Sequence, residues 1–338
     1  MSVQHLRNVA SAVRAGVVSG RRMLSAYVSL LPVFVACATL AAQQRADLRV
    51  DVGLVTVACS VTDRGGAPAK NLQRGDFILR DNRKRQPIEY FWQESDMPLI
   101  LGLIVDVSGS QAAFVERHRH TVARFVSQVM SPQDRAFLVT LATDVKLVTD
   151  LTGSIDELLR GVARIGRGGI AGEQFGEPCF GGCGGTALWN AVYAAARLRM
   201  RRAHGRKALI VLSDGLDTGS PHSLAHAIES ALEAETIVYA IKYVDPTAVS
   251  GVSRARERRN RGLERLTDET GGYTFPDPGD RLGEIFAKIE NNLRNLYLLG
   301  FTPPEDARDG RFHKLDVKMA RKNLAVRARD GYFAQSRR

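Results

Sequence analysis

Five residues with carboxylate or hydroxyl side chains are the ones whose types and spacing could bind a metal ion. Asp106, Ser108 and Ser110 form an Asp-x-Ser-x-Ser motif, Thr186 follows two glycines, and Asp214 follows an apolar run. Alternate residues of an extended segment share a side, so the three residues of the motif can converge as the chain turns. Oxygen ligands without thiolates or imidazoles suit Mg²⁺, Mn²⁺ or Ca²⁺. The set therefore predicts a divalent-cation site, with Mg²⁺ as the expected ion.

Only two of these ligands, Asp106 and Asp214, are charged. A bound divalent ion would therefore stay electrophilic and partly hydrated, and it could accept a carboxylate from a partner. The alternative is that Asp106 and Ser108 only form a turn and cap a helix, since both residue types are favoured there. The presence of Thr186 and Asp214 at two other element ends favours the metal site. Asp217 is expected to be a loop residue, or a residue that supports the ligands, and not a ligand of the metal.

The elements that must position these residues alternate over residues 97–295. Strands are predicted at 99–105, 135–141, 145–148, 208–212, 236–241 and 272–275, and helices at 111–130, 154–165, 186–202, 223–235, 254–270 and 280–296. This alternation predicts an α/β fold, a doubly wound and mostly parallel sheet. Ligands of such sheets bind beyond the carboxyl ends of the strands, where Asp106 and Asp214 lie.

Two stretches with β character flank this region. Residues 43–96 contain short runs rich in β-branched and aromatic residues, separated by turn signals, and predict a small β-sandwich-like module. Residues 296–338 return to the same pattern. The tail is expected to pack onto the N-terminal module, with the α/β domain inserted between them.

The motif residues carry a family resemblance. Asp-x-Ser-x-Ser followed by Thr186 and Asp214 resembles the metal-ion-dependent adhesion site (MIDAS) of von Willebrand factor A domains. The whole chain resembles a bacterial family of secreted proteins with related domains. The supporting patterns are Val-Thr-Asp-Arg-Gly-Gly at 61–66, Gly-Asp-Phe at 75–77 and Arg-Asp-Gly-Tyr at 329–332.

The resemblance implies direct or water-mediated metal ligation by the five residues, and adhesion or protein–protein interaction through a partner Asp or Glu. Two departures from the family pattern stand near the site. Gln111 occupies a position where many family members have Met, although that side chain is not a ligand. The Gly-rich stretch 166–185 is unusually long. It could shape a rim for the partner, be mobile, hold Thr186 away from the metal, or be a surface insertion without a role.

The first 42 residues have the pattern of an export signal. Four arginines without an acidic residue precede the uncharged run 23–42, which ends in small residues. This order is typical of a cleaved signal peptide, so a secreted, periplasmic or cell-envelope location in a bacterium is expected. The alternatives are a retained signal anchor, because the run is about long enough to span a bilayer, and lipid attachment at Cys37. Contact with a membrane is expected only through this segment.

The basic composition does not predict a nucleic-acid partner. The chain carries a formal net charge of +11, and removal of the signal would take away four of these charges. The basic runs 197–207 and 254–265 fall on or beside predicted helices and contain few aromatic residues. They are interpreted as solvated helix faces.

Cysteine and histidine usage predicts no zinc centre. The cysteines are Cys37, Cys59, Cys179 and Cys183. Cys179 and Cys183 could form a disulfide in an oxidising compartment or remain free thiols. No second pair of Cys stands at ligand spacing. His118 and His120 lie on a predicted helix and are expected at the surface.

Catalytic motifs are absent from the sequence. It has no Gly-x-Ser-x-Gly elbow, no His-Glu-x-x-His and no Gly-x-x-x-x-Gly-Lys-Ser/Thr loop. We therefore expect a non-catalytic binding protein with no small-molecule substrate. The alternatives are a structural or envelope-assembly module that works without metal, and a metal-assisted hydrolase, which would need a base beside the metal.

Overall fold

The computed structural model describes residues 53–94, 97–166, 172–178, 185–243, 261–277 and 279–334. The predicted export signal, Cys179, Cys183 and most of the Gly-rich stretch lie outside these residues. Within the described ranges, every helix is too short or too polar to cross a bilayer.

The described strands and helices follow one another along the chain with these bounds. The strands are β1 (Val55–Asp63), β2 (Phe77–Asp81), β3 (Lys84–Gln86), β4 (Tyr90–Glu94), β5 (Leu99–Asp106), β6 (Arg135–Leu141), β7 (Val145–Thr152), β8 (Glu173–Gln174), β9 (Arg206–Ser213), β10 (Thr236–Lys242), β11 (Thr274–Phe275), β12 (Leu296–Phe301), β13 (Phe312–Met319), β14 (Leu324–Ala328) and β15 (Gly331–Phe333). The helices are α1 (Val115–Val129), α2 (Ile155–Arg164), α3 (Leu188–Leu198), α4 (Leu224–Glu233), α5 (Arg261–Thr270) and α6 (Leu282–Arg294).

A seven-stranded sheet with the order β11-β10-β9-β5-β6-β7-β8 forms the centre of the α/β region. Strands β5, β6, β9, β10 and β11 are parallel, whereas β7 and β8 are antiparallel to their neighbours. Every residue of β5 is buried, as expected for a parallel strand covered on both faces. The predicted fold class, a doubly wound and mostly parallel sheet, is confirmed.

Helices cover both faces of this sheet. On one face α1, α2 and α6 pack on β5 and its neighbours through residues such as Phe125, Val162 and Phe286. On the other face α3, α4 and α5 contribute residues such as Val192 and Leu266. Both layers are needed because a sheet with two apolar faces must bury each of them.

The flanking strands form two further antiparallel sheets, β14-β1-β12-β4 and β15-β13-β2-β3. In both sheets, strands from the N-terminal part of the chain pair with strands that follow α6. Their inward side chains share one apolar cluster that includes Val57, Leu79, Tyr297, Phe301 and Leu315. The polypeptide therefore enters and leaves the α/β region beside its own N-terminal strands.

Two predicted helices begin later than their sequence patterns indicate. The segment Gly109–Phe114 is a 3-10 helix, and α1 starts at Val115. The helix predicted from residue 186 starts at Leu188, which leaves Thr186 in the preceding loop. Ser110 therefore lies within the 3-10 helix, whereas Thr186 lies in a loop at the carboxyl end of the sheet.

Candidate metal site

Asp106 is the last residue of β5 and is fully buried. Its Oδ1 accepts a hydrogen bond from the Ser108 N–H at 2.9 Å, and its Oδ2 accepts one from the Ser213 hydroxyl at 2.6 Å. Ser213 ends the neighbouring strand β9, and its Oγ also accepts from the Gly215 N–H at 3.1 Å. The carboxylate is therefore held between its own loop and the adjacent strand end.

Ser108 immediately precedes the 3-10 helix that follows β5, and Ser110 lies in its first turn. Their hydroxyl oxygens are 3.3 Å apart, which confirms that alternate residues of this segment share a side. Ser108 is buried, whereas Ser110 is exposed. The pair thus leads from the buried carboxylate to the solvent.

Asp214 follows β9 directly and is also buried. Its Oδ1 accepts a hydrogen bond from the Leu216 N–H at 2.9 Å. Burial raises the pKa of Asp106 to about 6, and the negative charge of Asp214 adds to this effect. Hydrogen bonds from Ser108 and Ser213 oppose the rise. The two acids therefore repel each other in a poorly solvated place, and a cation between them would relieve that repulsion.

Thr186 is hydrogen-bonded to the loop that follows Asp214. Its N–H donates to the Thr218 hydroxyl at 3.0 Å, and its carbonyl accepts from the N–H groups of Thr218 at 3.0 Å and Gly219 at 3.1 Å. Gly185 has a φ of +116°, and a Cβ at this position would collide with the Thr218 hydroxyl. We call the segment Asp214–Ser220 the clasp loop, because it holds Thr186 by these three hydrogen bonds.

The clasp loop also caps α3. An Asp217 carboxylate oxygen accepts from the Trp189 N–H at 3.1 Å and from the Ser220 hydroxyl. The Ser220 oxygen in turn accepts from the Asn190 N–H at 2.9 Å. The first N–H groups of a helix have no partner within it, so these side chains satisfy them from another segment. Burial raises the pKa of Asp217, although hydrogen bonds oppose the change.

His118 lies behind Asp106 and corrects a prediction. The sequence predicted a surface histidine, but His118 is fully buried, and its Nδ1 donates to the Asp106 carbonyl at 3.0 Å. Its ring packs edge-on against Tyr243 with centroids 4.5 Å apart. Burial lowers the pKa of His118 to about 4, so the ring is neutral at physiological pH. The prediction was wrong because this residue lies on the inner face of α1, where the backbone carbonyl at the end of β5 supplies a partner for the ring. His120 is exposed, as predicted.

Gln111 supports the same loop from within. It is buried, and its Nε2 donates to the Tyr243 carbonyl at 3.3 Å and lies 3.5 Å from the Ser110 carbonyl. The Tyr243 N–H donates to the Ser213 carbonyl at 3.1 Å. The ends of β5, β9 and β10 are therefore connected through polar contacts below the serine pair.

Four of the five predicted ligands are connected to one another by a hydrogen bond or an electrostatic interaction. Asp106 contacts the Ser108 backbone, Ser108 contacts Ser110, and Asp106 interacts electrostatically with Asp214. In the part of the chain that is described, the hydrogen bonds of Thr186 go to the clasp loop and not to the other predicted ligands.

The donor set determines which cation fits. In the described residues, no group of three or more His, Cys, Asp and Glu side chains converges on a common point. Two buried carboxylates and three hydroxyls therefore make up the candidate set, and these are oxygen ligands without nitrogen or sulfur. Such a set fits a hard divalent cation, of which Mg²⁺ keeps several waters when few carboxylates bind it.

Sequence reasoning missed the residues that hold this set in place. Ser213, His118 and Thr218 all contact a predicted ligand through the hydrogen bonds described above. For Ser213 a signal was present, because it directly precedes Asp214 at the end of an apolar strand. For His118 and Thr218 the local sequence contains no such signal.

Comparison with known proteins gives a family match and several distant structural likenesses. Residues 101–216 match the family model described as von Willebrand factor type A domain. No curated protein matches the sequence.

Three of the similar solved structures illustrate the range of likeness. BatB from Bacteroides thetaiotaomicron is 16% identical, with a TM-score of 0.41 over 56% of this chain and 97% of that one. A von Willebrand factor type A protein from Catenulispora acidiphila is 14% identical, with a TM-score of 0.44 over 79% and 75% of the two chains. Proximal thread matrix protein 1 from the mussel byssus, in a structure with a zinc-occupied MIDAS motif, is 14% identical. Its TM-score is 0.42, over 63% of this chain and 49% of that one.

Proposed function

We propose that this chain, which contains a von Willebrand factor type A domain at residues 101–216, binds a protein partner through a divalent metal ion. The metal would be held beyond the carboxyl ends of β5 and β9, by Asp106, Ser108, Ser110, Thr186 and Asp214. Mg²⁺ is the proposed ion, with Mn²⁺ or Ca²⁺ as possible substitutes.

The observation that carries the proposal is the pairing of two buried acids with a hydroxyl pair that reaches the surface. Asp106 and Asp214 are buried together, and repulsion between them contributes to the raised pKa of Asp106. Ser108 and Ser110 continue from these acids to the solvent. A cation held here would be bound by the buried acids on one side and accessible to solvent and to a partner on the other.

A carboxylate from the partner would complete the site. The two acids supply only two negative charges, so a bound Mg²⁺ would keep its affinity for a further anionic oxygen. An exposed Asp or Glu side chain of a partner protein has the right charge and atom type. The metal would supply the attraction, and the chain's own residues would fix its position.

The surroundings of the site support a binding role without catalysis. His118 is the histidine that contacts a predicted ligand, but its Nδ1 is engaged by the Asp106 carbonyl and its ring is buried. It therefore does not face the solvent side, where a water molecule bound to the metal would need a general base. We further propose that residues 1–42 direct export, so that the partner is met outside the cytoplasm or in the cell envelope.

The test measures metal uptake and partner capture separately. Calorimetric titration with Mg²⁺ and Mn²⁺ should show binding by the wild type and none by Asp106→Ala. Capture of partners from envelope extracts should require Mg²⁺ and be lost in EDTA and in Asp106→Ala. Asp306→Ala, which removes an exposed acid of the same type, is the matched control and should behave like the wild type.

Two results would decide against the proposal. Absence of Mg²⁺ and Mn²⁺ uptake by the wild type would favour a domain that works without metal. Equal capture with Mg²⁺, with EDTA and by Asp106→Ala would exclude the metal-dependent mechanism.

A further inference from the structure

A cavity of about 350 Å³ lies at the end of the central sheet opposite the candidate metal site. The first residues of β9 and β10 line one side of it, and residues of β1 and β12 line the other. Its walls are largely apolar and include Ala58, Leu232, Ile237, Leu293 and Leu298. The volume falls within the range of small-molecule sites, which is about 300–1,000 Å³.

The charged residues of this cavity are mainly cationic. Arg206, Lys207 and Arg329 line it together with one acid, Glu235. The Arg206 Nη1 donates to the Leu293 carbonyl at 2.7 Å, so this guanidinium is fixed at the wall.

Arg329 and Glu235 are fixed by the neighbouring layers. The Arg329 Nη2 donates to the Thr56 carbonyl at 2.7 Å, and its Nη1 lies 3.4 Å from the Leu232 carbonyl. The Glu235 Oε1 accepts from the Thr56 hydroxyl at 3.2 Å and lies 3.8 Å from the Arg329 Nη2. The one acid of the cavity is therefore engaged at the Arg329 side.

Lys207 is left without a close counterion. Among the described residues no acid lies within 4.0 Å of its ammonium group, and the acid of the cavity, Glu235, pairs with Arg329. Burial lowers the pKa of Lys207; Glu235 opposes the shift and Arg329 adds to it. The half-buried ammonium of Lys207 and the guanidinium of Arg329 line the same cavity with a single acid, which pairs with Arg329, and a bound anion would correct this imbalance of charge.

We propose that this cavity binds a small organic monoanion with an apolar body, of the class of a medium-chain carboxylic acid. The carboxylate would lie between Lys207 and Arg329, and the hydrocarbon body would contact Leu232, Ile237 and Leu298. An adjoining cavity of about 520 Å³ shares Lys207, Leu232, Glu235 and Arg329, so longer bodies have room to extend. The site is separate from the metal site and does not depend on the proposed function.

The experiment titrates the whole chain with three probes by calorimetry and by amide chemical shifts. Octanoate has both a negative charge and a hydrocarbon chain, 1-octanol lacks the charge, and acetate lacks the long hydrocarbon chain. We expect octanoate to bind at least tenfold more tightly than either of the other two. Vesicles of anionic phospholipid should not compete with octanoate for the protein, because the cavity would admit a free molecule and not a bilayer surface.

Three variants locate the site. Lys207→Gln should weaken octanoate binding at least tenfold, and Lys207→Arg should restore most of it because the charge is kept. Ala58→Phe should abolish binding by filling the cavity from β1. Asp106→Ala should bind octanoate like the wild type, since it alters only the other end of the sheet.

The proposal is overturned by any of three outcomes. The first is that octanoate does not bind the wild type. The second is that 1-octanol binds as tightly as octanoate, which would show that charge is not recognised. The third is that folded Lys207→Gln and Ala58→Phe both keep the wild-type affinity for octanoate.

Discussion

Replacing Thr218 by valine tests whether the clasp loop positions Thr186 for metal binding. The substitution keeps the shape of the side chain but removes the hydroxyl that accepts the Thr186 N–H at 3.0 Å. The two hydrogen bonds to the Thr186 carbonyl come from the backbone of Thr218 and Gly219 and remain possible. The variant should therefore fold, with Thr186 less firmly held.

The magnitude follows from the loss of one partly buried hydrogen bond to an exposed side chain. The net contribution of a typical hydrogen bond to stability is about 0.5–1.5 kcal/mol. Residues that orient metal ligands typically change metal affinity by about 10- to 100-fold when they are removed. A tenfold change corresponds to about 1.4 kcal/mol, so the two figures meet at about tenfold. We expect Thr218→Val to bind Mn²⁺ about tenfold more weakly than the wild type.

The assay measures free Mn²⁺ by electron paramagnetic resonance during a titration of each variant. Thr218→Ser is the matched control, because it keeps the hydroxyl and should bind Mn²⁺ close to the wild-type value. Urea unfolding in EDTA is measured in parallel. A purely structural role of Thr218 would lower the free energy of unfolding in EDTA and leave the Mn²⁺ affinity of the folded protein unchanged.

The results distinguish failure of the hypothesis about the clasp loop from failure of the hypothesis about the metal site. Wild-type Mn²⁺ affinity in folded Thr218→Val would refute the reasoning about Thr186. Failure of the wild type to bind Mn²⁺ would instead refute the metal site, and the clasp loop would then be a structural feature only.

Two further predictions concern stability and thiol reactivity. Burial alone would raise the pKa of Asp134, but hydrogen bonds from Leu99, Ser131 and Arg294 lower it below its usual value. This acid therefore stabilises the fold at neutral pH, and the contribution is lost as the pH falls through about 4 and below. Urea unfolding should show that Asp134→Asn lowers the free energy of unfolding by about 3 kcal/mol at pH 7 and by less at acidic pH. An equal decrease at both pH values would contradict this prediction. Cys59 is fully buried, and burial raises the pKa of its thiol, so iodoacetamide should label it only after unfolding in guanidinium chloride. Labelling of Cys59 itself in the native protein, identified by mass spectrometry of its peptide, would show that the core opens.

The central sheet could be predicted because its signals are local. The run 99–105 is apolar throughout, and the structure buries every residue of β5. The antiparallel direction of β7 also had a signal in the sequence. Only residues 142–144 separate β6 from β7, and a parallel crossover needs about a dozen residues.

Pairing between distant strands could not be predicted with a register. Nothing in the pattern of residues 296–301 specifies that β12 lies between β1 and β4, with Val57 opposite Leu299. Such a placement depends on the combined packing of both layers, which local periodicity does not encode.

The same division applies to the candidate site. Residue types and spacing nominated the acids and hydroxyls, because the chemistry of a metal ligand belongs to the single residue. The residues that fix them were missed because their roles exist only across long separations, as between Thr186 and Thr218 or His118 and Asp106. Positioning is a property of the fold, whereas ligand chemistry is a property of the sequence.

The burial of Asp106 and Asp214 links the proposed metal to the stability of the fold. In the absence of a cation, burial and mutual repulsion oppose ionisation of Asp106, while Ser108 and Ser213 favour it. The ligands come together only when β5 and β9 lie side by side, so a cation would bind the folded chain and not the unfolded one. At a metal concentration a hundred times the dissociation constant, such binding stabilises a fold by about 2.7 kcal/mol. A chain exported before it folds would therefore gain this part of its stability only where the cation is available.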